Sequence, residues 1–269
     1  MLRSTKDLQD YSIDAIDGTI GKVSDLYFDD DAWVVRYLVV DTGSWLSSRR
    51  VLVSLISVGT PDGALKSIPV VISKEQVRHS PDIDTDKPVS RQHEIHYLGY
   101  YGYPPYWDGI GMWGGGLEPF AMQPGYLMDN LNSSERLAEQ EAYAQAERAR
   151  HRNDDPHLRS CKAVSGYHIK AKDGEIGHVE DFLIDDRTWA LRYIVVNTSN
   201  WWLGHKVLIA PQWIKAVHWS DESVLVDLNR ATIQDAPAFE STAALNRAHE
   251  IGLYHHYGRT GYWARDPAP

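Results

Sequence analysis

Three consecutive aspartates, Asp29-Asp30-Asp31, are the residues of this 269-residue sequence that first suggest a metal site. Ca²⁺ and Mg²⁺ need several converging oxygens, and their recognisable pattern alternates acidic residues before a distal glutamate. Consecutive aspartates on a turn point in different directions, and an internal copy of this segment has Arg187 in the third position. We therefore predict a solvated turn and no metal site here.

The histidine-rich segments are the second group that could bind a metal. His93-Glu94-Ile95-His96 differs from the zinc motif of metalloproteases, which places two histidines at i and i+4 on one helical face. Here the second histidine falls at i+3, and Gly252 replaces it in the internal copy. His249 and His256 lie two helical turns apart, but no carboxylate set completes a site. We predict structural histidines without metal or cofactor, although metal binding at these helix ends stays open.

Nucleophilic and acid–base catalysis have little support in the sequence. No G-x-S-x-G turn occurs, and Cys161 corresponds to a threonine in the internal copy. Residues 114–116 are glycines but lack the lysine and the strand-to-helix context of a phosphate-binding loop. Asp25 and its counterpart Asp181 are expected to fix a backbone bend or to pair with an arginine of their own copy. We predict no catalytic residues and no enzyme activity.

Composition limits the classes of partner. The formal charge is −10 and the pI is about 5.6, which argues against nucleic-acid binding because that needs clustered lysine and arginine. Cys161 is the only cysteine, so an intrachain disulfide and a cysteine-based zinc site are excluded. The first residues lack the apolar core of a signal peptide, and no run of about 18 apolar residues occurs. We expect a cytoplasmic protein without a transmembrane segment.

The chain contains a gapless internal duplication. An offset of 156 positions aligns residues 2–107 with residues 158–263 and gives 35 identities among 106 pairs, where chance gives about one in sixteen. The retained pairs include Gly18/Gly174, Gly21/Gly177, Asp25/Asp181, Trp33/Trp189, Arg36/Arg192, Tyr37/Tyr193, Glu94/Glu250, Tyr106/Tyr262 and Trp107/Trp263. Retention in both copies shows a shared constraint, and that constraint can be purely structural.

Short strands must carry these residues. Asp17-Gly18 and Asp173-Gly174 lie between apolar alternations, where glycine supplies the positive φ of a tight hairpin. In the first copy an alternating run leads to the acidic turn, a second apolar run follows it, and further strands are expected at 51–56 and 65–72. Many short strands without a long helix between them predict a mainly β fold with two small antiparallel barrels of about 80 residues each.

A helix is expected after each barrel, at residues 88–101 and 244–257. The predicted caps are Asp86 and Thr242 at the N-termini and Gly102 and Gly258 beyond the C-termini. Between the repeats, a Gly-, Pro- and Tyr-rich linker leads into a polar connecting helix. The predicted domains are the first barrel with its helix (1–102), the linker and connecting helix (103–152), the second barrel with its helix (153–258) and a tail (259–269).

The order and spacing of these residues resemble the PRC-barrel domain. Each copy has Leu-Arg-Ser, then Asp-Gly-x-Ile-Gly-x-Val-x-Asp, an acidic turn, Trp, Arg-Tyr and a Val-Val strand that ends near Trp45 or Trp201. The resemblance covers most of both copies and implies six-stranded barrels that serve as docking surfaces without chemistry of their own. The family includes the cytoplasmic part of the photosynthetic reaction centre H subunit and the C-terminal domain of a ribosome maturation factor. This chain departs from both, because it has neither the membrane helix nor the preceding domain, and it is more similar to stand-alone bacterial members.

Aromatic side chains are the predicted partner-binding residues, since Tyr and Trp bury a large area and keep a hydrogen-bonding end. The candidates are Trp45, Trp201, Trp202, Tyr103, Tyr106, Trp107, Tyr262 and Trp263. The alternative is that the aromatic tails pack on the barrels themselves.

The sequence thus predicts a non-enzymatic scaffold or adaptor that binds a protein partner. Two analogies stay open as alternatives: a membrane-peripheral accessory protein linked to the photosynthetic reaction centre or electron transfer, and an assembly protein similar to the ribosome maturation factor. Peripheral membrane association and an oligomer stay open as well.

Overall fold

The computed structural model describes residues 1–81, 89, 91–107, 111–114, 116–123, 157–198 and 205–264. The protein is mainly β with two sheets, which confirms the predicted fold class. The chain divides into two compact units. Unit 1 comprises Met1, Asp7–Lys162 and Asp185–Ala190, and unit 2 comprises Leu2–Lys6, Ala163–Ile184 and Leu191–Pro269.

The strands are short except for one long hairpin strand in each repeat. In chain order they are β1 (Leu2–Ser4), β2 (Ser12–Ala15), β3 (Gly18–Asp29), β4 (Val34–Asp41), β5 (Arg50–Ser54), β6 (Ser67–Pro69), β7 (Leu158–Ser160), β8 (His168–Ala171), β9 (Gly174–Asp185), β10 (Leu191–Asn197), β11 (Lys206–Ile209), β12 (Ile214–His218) and β13 (Ser223–Val226). The helices are α1 (Thr5–Leu8), α2 (Lys74–Arg78), α3 (Arg91–Tyr101), α4 (Cys161–Val164), α5 (Arg230–Gln234) and α6 (Arg247–His256).

The two sheets follow the same strand path. It runs β5-β4-β3-β2-β6 in unit 1 and β11-β10-β9-β8-β13-β12 in unit 2. Most neighbours are antiparallel, but β2 pairs with β6 and β8 pairs with β13 in parallel. Val23 and Leu26 on β3 are buried, and a register shift between Val23 and Asp25 brings both to the same face of the sheet although they are three residues apart. Closure of each sheet into a barrel stays a prediction.

Each unit contains one short strand from the other repeat. β7, which belongs to the second repeat, pairs with β3 in unit 1, and β1 pairs with β9 in unit 2. These exchanged strands are the two equivalent Leu-Arg-Ser segments. The sequence does not predict the exchange, because the same residues would form the same pairs within their own repeat.

Asp181 holds the exchanged strand β1 in unit 2. Its carboxylate accepts hydrogen bonds from the Ser4 hydroxyl, from the Thr5 hydroxyl at 2.7 Å and from the Lys6 backbone N–H at 3.3 Å. Asp181 is only 9% exposed, so these hydrogen bonds form away from bulk water. Asp181 therefore fixes the point where β1 passes into α1.

Asp25 holds β7 in unit 1 through the equivalent bonds. It accepts hydrogen bonds from the Ser160 hydroxyl and from the Lys162 N–H at 3.1 Å. Burial raises the pKa of Asp25, although these hydrogen bonds lower it in part. Asp25 thus holds the exchanged strand, and the predicted alternative of a pair with Arg36 is wrong, because Arg36 faces Asp29.

The predicted helices are present, although both begin later than expected. α6 has Asn246 as its N-cap, whose side chain accepts the N–H groups of Ala248 and His249 at 3.0 and 3.1 Å. The predicted cap Thr242 is therefore wrong, since turns occupy the residues before Asn246, and Asp86 lies outside the described residues. Gly102 and Gly258 have φ of 69° and 62°, which confirms them as the left-handed residues beyond the helices.

Gly21 and Gly177 are retained because another strand approaches them closely. A Cβ atom on Gly21 would lie 2.0 Å from the Asp41 carbonyl oxygen, and one on Gly177 would lie 2.1 Å from that of Asn197. Any larger residue would push β3 away from β4, or β9 away from β10. This contact explains the glycine of the shared Ile-Gly-x-Val segment.

The predicted connecting helix lies outside the described residues, and the described part of the linker includes one 3₁₀ turn at Pro119–Met122. None of the helices that the structure describes is long and apolar enough to cross a membrane.

Candidate functional site

The acidic turn between β3 and β4 is stabilised by its own first aspartate. Asp29 is 4% exposed, and its carboxylate accepts the N–H groups of Asp31 at 3.0 Å and Ala32 at 3.1 Å. Trp33, which closes the turn, has a left-handed φ of 55°. The turn is therefore less solvated than predicted, because Asp29 is needed inside to hold the reversal of the chain.

Two of the three carboxylates of this turn, those of Asp29 and Asp30, face arginines. One oxygen from each of the three lies within 4.8 Å of the others. Asp30 accepts a 2.7 Å hydrogen bond from Arg159 on β7, and an oxygen of Asp29 lies 3.5 Å from Arg36. Asp31 alone is exposed. Two guanidinium groups thus face the charge that a cation would need, so the arrangement is that of a structural turn.

A buried glutamate on α3 organises a polar cluster in unit 1. Glu94 is 1% exposed, and its Oε2 accepts a 3.1 Å hydrogen bond from Arg91 and lies 2.7 Å from His157 Nε2. The Tyr106 hydroxyl donates to Oε1. These four residues are called the glutamate cluster of unit 1. Both carboxylate oxygens have partners, so the buried charge is compensated inside the fold.

Proton positions in this cluster follow from its charges. Burial by itself lowers the pKa of His157, but the hydrogen bond and the charge of Glu94 outweigh it and the pKa is raised. Burial, followed by the charge of Glu94, holds the pKa of Tyr106 well above its ordinary value. Tyr106 is therefore a neutral donor, and the cluster has the character of a structural network.

Unit 2 repeats the same arrangement around Glu250, which is 4% exposed. The hydroxyls of Tyr193 and Tyr262 donate to its Oε1 at 2.8 and 2.9 Å, and Arg247 lies 3.0 Å from its Oε2. We call these four residues the glutamate cluster of unit 2. In each unit the tyrosine of the Tyr-Trp segment donates to the glutamate of the His-Glu-Ile segment. This contact explains why both residues are kept in the two copies.

The retained Arg-Tyr segments contact the same aromatic rings. The Arg36 guanidinium lies 3.9 Å from the centre of the Tyr106 ring and 4.6 Å from that of Trp113. In unit 2, the Arg192 guanidinium lies 4.1 Å from the centre of the Tyr262 ring. Arg36 and Arg192 are both buried, where such cation–π contacts stabilise most because water does not compete.

The described part of the first aromatic tail packs within unit 1. Tyr106 is 3% exposed, and Arg91 lies 4.1 Å from the centre of the Trp107 ring. Tyr103 is half-buried and stacks on Tyr101 with ring centres 5.5 Å apart. Burial raises the pKa of Tyr103 to about 12. These rings have contacts inside their own unit, as the alternative interpretation of the tails expected.

The second tail packs within unit 2 in the same way. The Trp263 ring centre lies 5.0 Å from that of Tyr254 and 4.4 Å from the Arg247 guanidinium, while Tyr262 is bonded to Glu250. Trp201 and Trp202 lie outside the described residues. Partner binding by the aromatic residues stays a prediction. In the tails, a partner would have to contact rings that already pack against residues of their own unit.

Trp45 differs from the tails because it lies at the edge of an exposed surface. Its indole N–H donates to the Ile20 carbonyl oxygen, and the Lys74 ammonium lies 4.6 Å from the centre of its ring. Lys74 begins α2, and its backbone N–H donates to Asp17 at 2.8 Å. Trp45 and Lys74 are thereby held beside the Asp17-Gly18 hairpin.

The outer surface of β2 and β6 ends beside this hairpin. We call its outward residues the β2–β6 face: Ser12, Asp14, Ile16, Ser67, Pro69 and Val71. Ile16 is 72% exposed and Val71 is 52% exposed. The Ile16 N–H donates to the Ile72 carbonyl at 3.2 Å, so the two aliphatic side chains lie on adjoining segments. Two aliphatic side chains are therefore exposed to water on neighbouring segments of unit 1.

The equivalent positions of unit 2 carry an ion pair. Lys172 corresponds to Ile16 and Asp227 to Val71, and the Lys172 ammonium lies 2.7 Å from the Asp227 carboxylate. Arg259 donates to the same carboxylate at 2.8 Å. Hydrogen bonds from Lys172 and Arg259 lower the pKa of Asp227 to about 2. Unit 2 therefore has a charged, solvated surface where unit 1 has an apolar one.

The difference lies in the side chains and not in the backbone. The Lys172 N–H donates to the Leu228 carbonyl at 2.9 Å, which is the counterpart of the Ile16–Ile72 hydrogen bond in unit 1. A lysine and an aspartate would thus be accommodated in unit 1, yet Ile16 and Val71 occupy these positions. The apolar pair is consequently not a requirement of the fold.

Sequence reasoning missed this surface because it compared the repeats by their identical residues. Identical residues proved to be the internal framework: the aspartates that hold the exchanged strands, the hairpin glycines and the glutamate clusters. The signal for the surface was an unlike pair at outward positions, Ile16/Lys172 and Val71/Asp227. Positions that differ between repeats would have identified it.

Comparison with known protein families gives a match within the first repeat. Residues 6–76, which lie within the first repeat, match the PRC-barrel domain family. The match does not extend to the second repeat, whose relation to the first is the gapless duplication and the shared strand path. No curated protein matches the chain.

Proposed function

We propose that this protein is a non-enzymatic scaffold in which two PRC-type units share one framework and unit 1 binds a protein partner. The β2–β6 face of unit 1 is the proposed docking surface, with Trp45 and Lys74 at its border. This proposal moves the contact away from the aromatic tails and keeps Trp45 among the predicted residues.

The first support is that several reactive side chains of the described residues are engaged in structure. Asp25 and Asp181 hold the exchanged strands, Glu94 and Glu250 are bonded by tyrosine and arginine, and Cys161 is buried. A general base or nucleophile must reach a substrate within hydrogen-bond distance. Groups committed in this way serve packing, which favours a binding role over an enzymatic one.

The observation that carries the proposal is the replacement of the Lys172–Asp227 ion pair by Ile16 and Val71. A solvated ion pair is the ordinary solution for an outer sheet surface, and the second repeat adopts it. Compared with this ion pair, the exposed aliphatic side chains of unit 1 lack the favourable hydration of charged groups, and they are not buried within the unit. Binding of a partner would bury them, at about 25 cal/mol per Å² of apolar area.

The test is quantitative capture of partners from the native cell with matched variants. Ile16→Lys with Val71→Asp gives unit 1 the pair that unit 2 already tolerates, so folding should be preserved. Lys172→Ala with Asp227→Ala is the control on unit 2. We expect the first variant to lose the proteins recovered by the wild type and the control to retain them. Equal recovery by wild type and Ile16→Lys/Val71→Asp would refute the docking surface.

A further inference from the structure

Two histidines face each other across neighbouring strands of unit 2. His168 on β8 lies directly opposite His178 on β9 in the antiparallel register. Residues that are directly opposite on such strands point to the same face of the sheet. The His168 side chain is 56% exposed and His178 is half-buried, so the pair lies on the outer surface of the sheet.

The backbone hydrogen bonds show that the side chains of this pair approach each other closely. One position away, the Val179 N–H donates to the Tyr167 carbonyl at 2.8 Å, whereas the His168 N–H points to β13 and donates to the Glu222 carbonyl at 2.8 Å. His168 and His178 are thus a non-hydrogen-bonded pair, for which the Cα atoms lie about 4.5 Å apart. A nitrogen from each ring can therefore reach one ion at the Zn–N distance of about 2.0 to 2.1 Å.

Glu175 orients one of the two rings. Its Oε1 lies 2.8 Å from His168 Nδ1. Because an ionised carboxylate only accepts hydrogen bonds, Nδ1 carries a proton and donates it. In the neutral ring the lone pair is then on Nε2, which is the atom left to bind a metal. A carboxylate that accepts a hydrogen bond from the other ring nitrogen is the usual companion of a metal-binding histidine.

The fold does not require these side chains. The positions of the two histidines and the glutamate are occupied in unit 1 by Ser12, Lys22 and Thr19. Ser12 and Lys22 are paired in the same register, so the same backbone arrangement forms without histidine. A surface ion pair with the glutamate would account for His168 alone, and it gives no reason for a second histidine opposite it.

The charges beside the pair are of both signs. Lys170 lies two residues from His168, and Glu175 is in register with Lys170 on β9. Beyond His178, the Glu180 carboxylate lies 2.6 Å from the Lys206 ammonium. The surroundings thus select neither an anion nor a cation by charge. Neutral imidazole nitrogens bind transition-metal ions directly, so the site depends on the two rings and not on an acidic environment.

We propose that His168 and His178 bind Zn²⁺ on the outer surface of unit 2, with water in the remaining coordination positions. In the part of the chain that the structure describes, Glu175 and the two histidines do not bring three ligand atoms within 4.8 Å of one another. Glu175 is therefore a positioning residue that acts through His168. Mg²⁺ and Ca²⁺ need oxygen ligands and do not bind here. This inference concerns unit 2 and does not depend on the docking surface of unit 1.

The experiment is titration calorimetry with Zn²⁺ on the purified full-length chain, after removal of any affinity tag. We expect the affinity of one Zn²⁺ equivalent to fall at least tenfold in His168→Gln and likewise in His178→Gln, while Mg²⁺ gives no binding. His218→Gln is the matched control, because His218 is exposed on the same sheet but lies two strands from His168, about 10 Å away. Circular dichroism checks that each variant is folded.

Glu175→Ala tests the positioning role separately. The Zn²⁺ affinity should fall about tenfold, and ¹⁵N NMR of the His168 ring should show that the single tautomer is lost, which a purely structural role would not change. An unchanged affinity and tautomer overturn the role of Glu175.

The metal site as a whole has its own decisive outcomes. It is overturned if wild type binds no Zn²⁺, or if either histidine variant binds it as tightly as wild type. It is also overturned if His218→Gln weakens binding as much as His168→Gln, since the ion would then be held by other histidines of the chain.

Discussion

Glu94 and Glu250 are the buried charges on which each unit depends, and both are compensated in the same way. An arginine one helical turn earlier and a tyrosine from the aromatic tail contact each carboxylate. Unit 1 adds His157, which lies before the second repeat and corresponds to Met1 before the first. Burying the glutamate charge costs little folding free energy while all of its partners are present. The cost becomes large when one partner is removed.

We expect Glu94→Gln to destabilise unit 1 by about 3 to 5 kcal/mol, because it leaves Arg91 buried without its carboxylate. The measurement is urea-induced unfolding followed by tryptophan fluorescence. Glu75→Gln is the control, since Glu75 is 62% exposed and pairs with Arg78 on the surface, where the loss should stay below about 0.5 kcal/mol. Similar losses for the two variants would show that the cluster does not stabilise the unit.

His157 should make the stability of unit 1 depend on pH. Burial lowers its pKa, but Glu94 raises it by more, so the folded pKa lies above the ordinary value of about 6.5. The stabilisation is complete below the ordinary pKa and is lost as the pH rises through the raised folded pKa. The free energy of unfolding should therefore fall more steeply above pH 6 in the wild type than in His157→Gln. Parallel pH profiles would contradict the assignment.

At the scale of elements, the exchanged strands are the feature that joins the two repeats. β1 completes the sheet of unit 2 and β7 completes that of unit 1, and an aspartate holds each of them at its end. Each sheet is thus assembled from both halves of the chain. The covalent connection between the repeats is then not needed to keep the halves together.

Residues 1–131 and 132–269, co-expressed as separate polypeptides with a tag on one of them, should purify as a one-to-one complex. The exchanged strands provide the reason, since neither half contains all the strands of its own sheet. Asp25→Ala together with Asp181→Ala should weaken the complex by removing both anchors. Recovery of the tagged half alone would mean that each strand returns to its own repeat.

The secondary-structure elements and their order could be predicted from the sequence, whereas the sheet that each exchanged strand joins could not. Hairpin glycines such as Gly18 and Gly174 and the positive-φ residues after the helices are dictated by local backbone sterics, so they were predicted correctly. The N-cap Asn246 was missed because Thr242 is also a common capping residue and only tertiary packing selects between them. The exchange of β1 and β7 was missed because a strand has the same residues whichever unit it joins.

For the candidate site, the sequence predicted Trp45 but not its surroundings. Ile16 and Val71 are residue types that strands favour, but they lie just beyond β2 and β6, and nothing in their own segment shows that they point outward. Their exposure follows from the pairing of β2 with β6, which is a parallel contact between segments far apart in the chain. Such long-range pairs lie beyond the reach of local periodicity.

At the scale of the whole molecule, the two repeats keep one framework, and the proposed function gives them different roles. Retained residues hold each unit together, and the unlike residues at the β2–β6 face distinguish the unit that we propose binds a partner from the unit that carries the Lys172–Asp227 ion pair. Because the difference is confined to side chains, it can be probed without altering the fold.

Site-specific photo-crosslinking in the native cell tests this division most directly. p-Benzoylphenylalanine is introduced at Val71 of unit 1 or at the equivalent Asp227 of unit 2, and crosslinked products are identified by mass spectrometry. We predict a discrete protein adduct from position 71 and none from position 227. Adducts of equal yield at both positions, or an adduct from position 227 alone, would contradict the account.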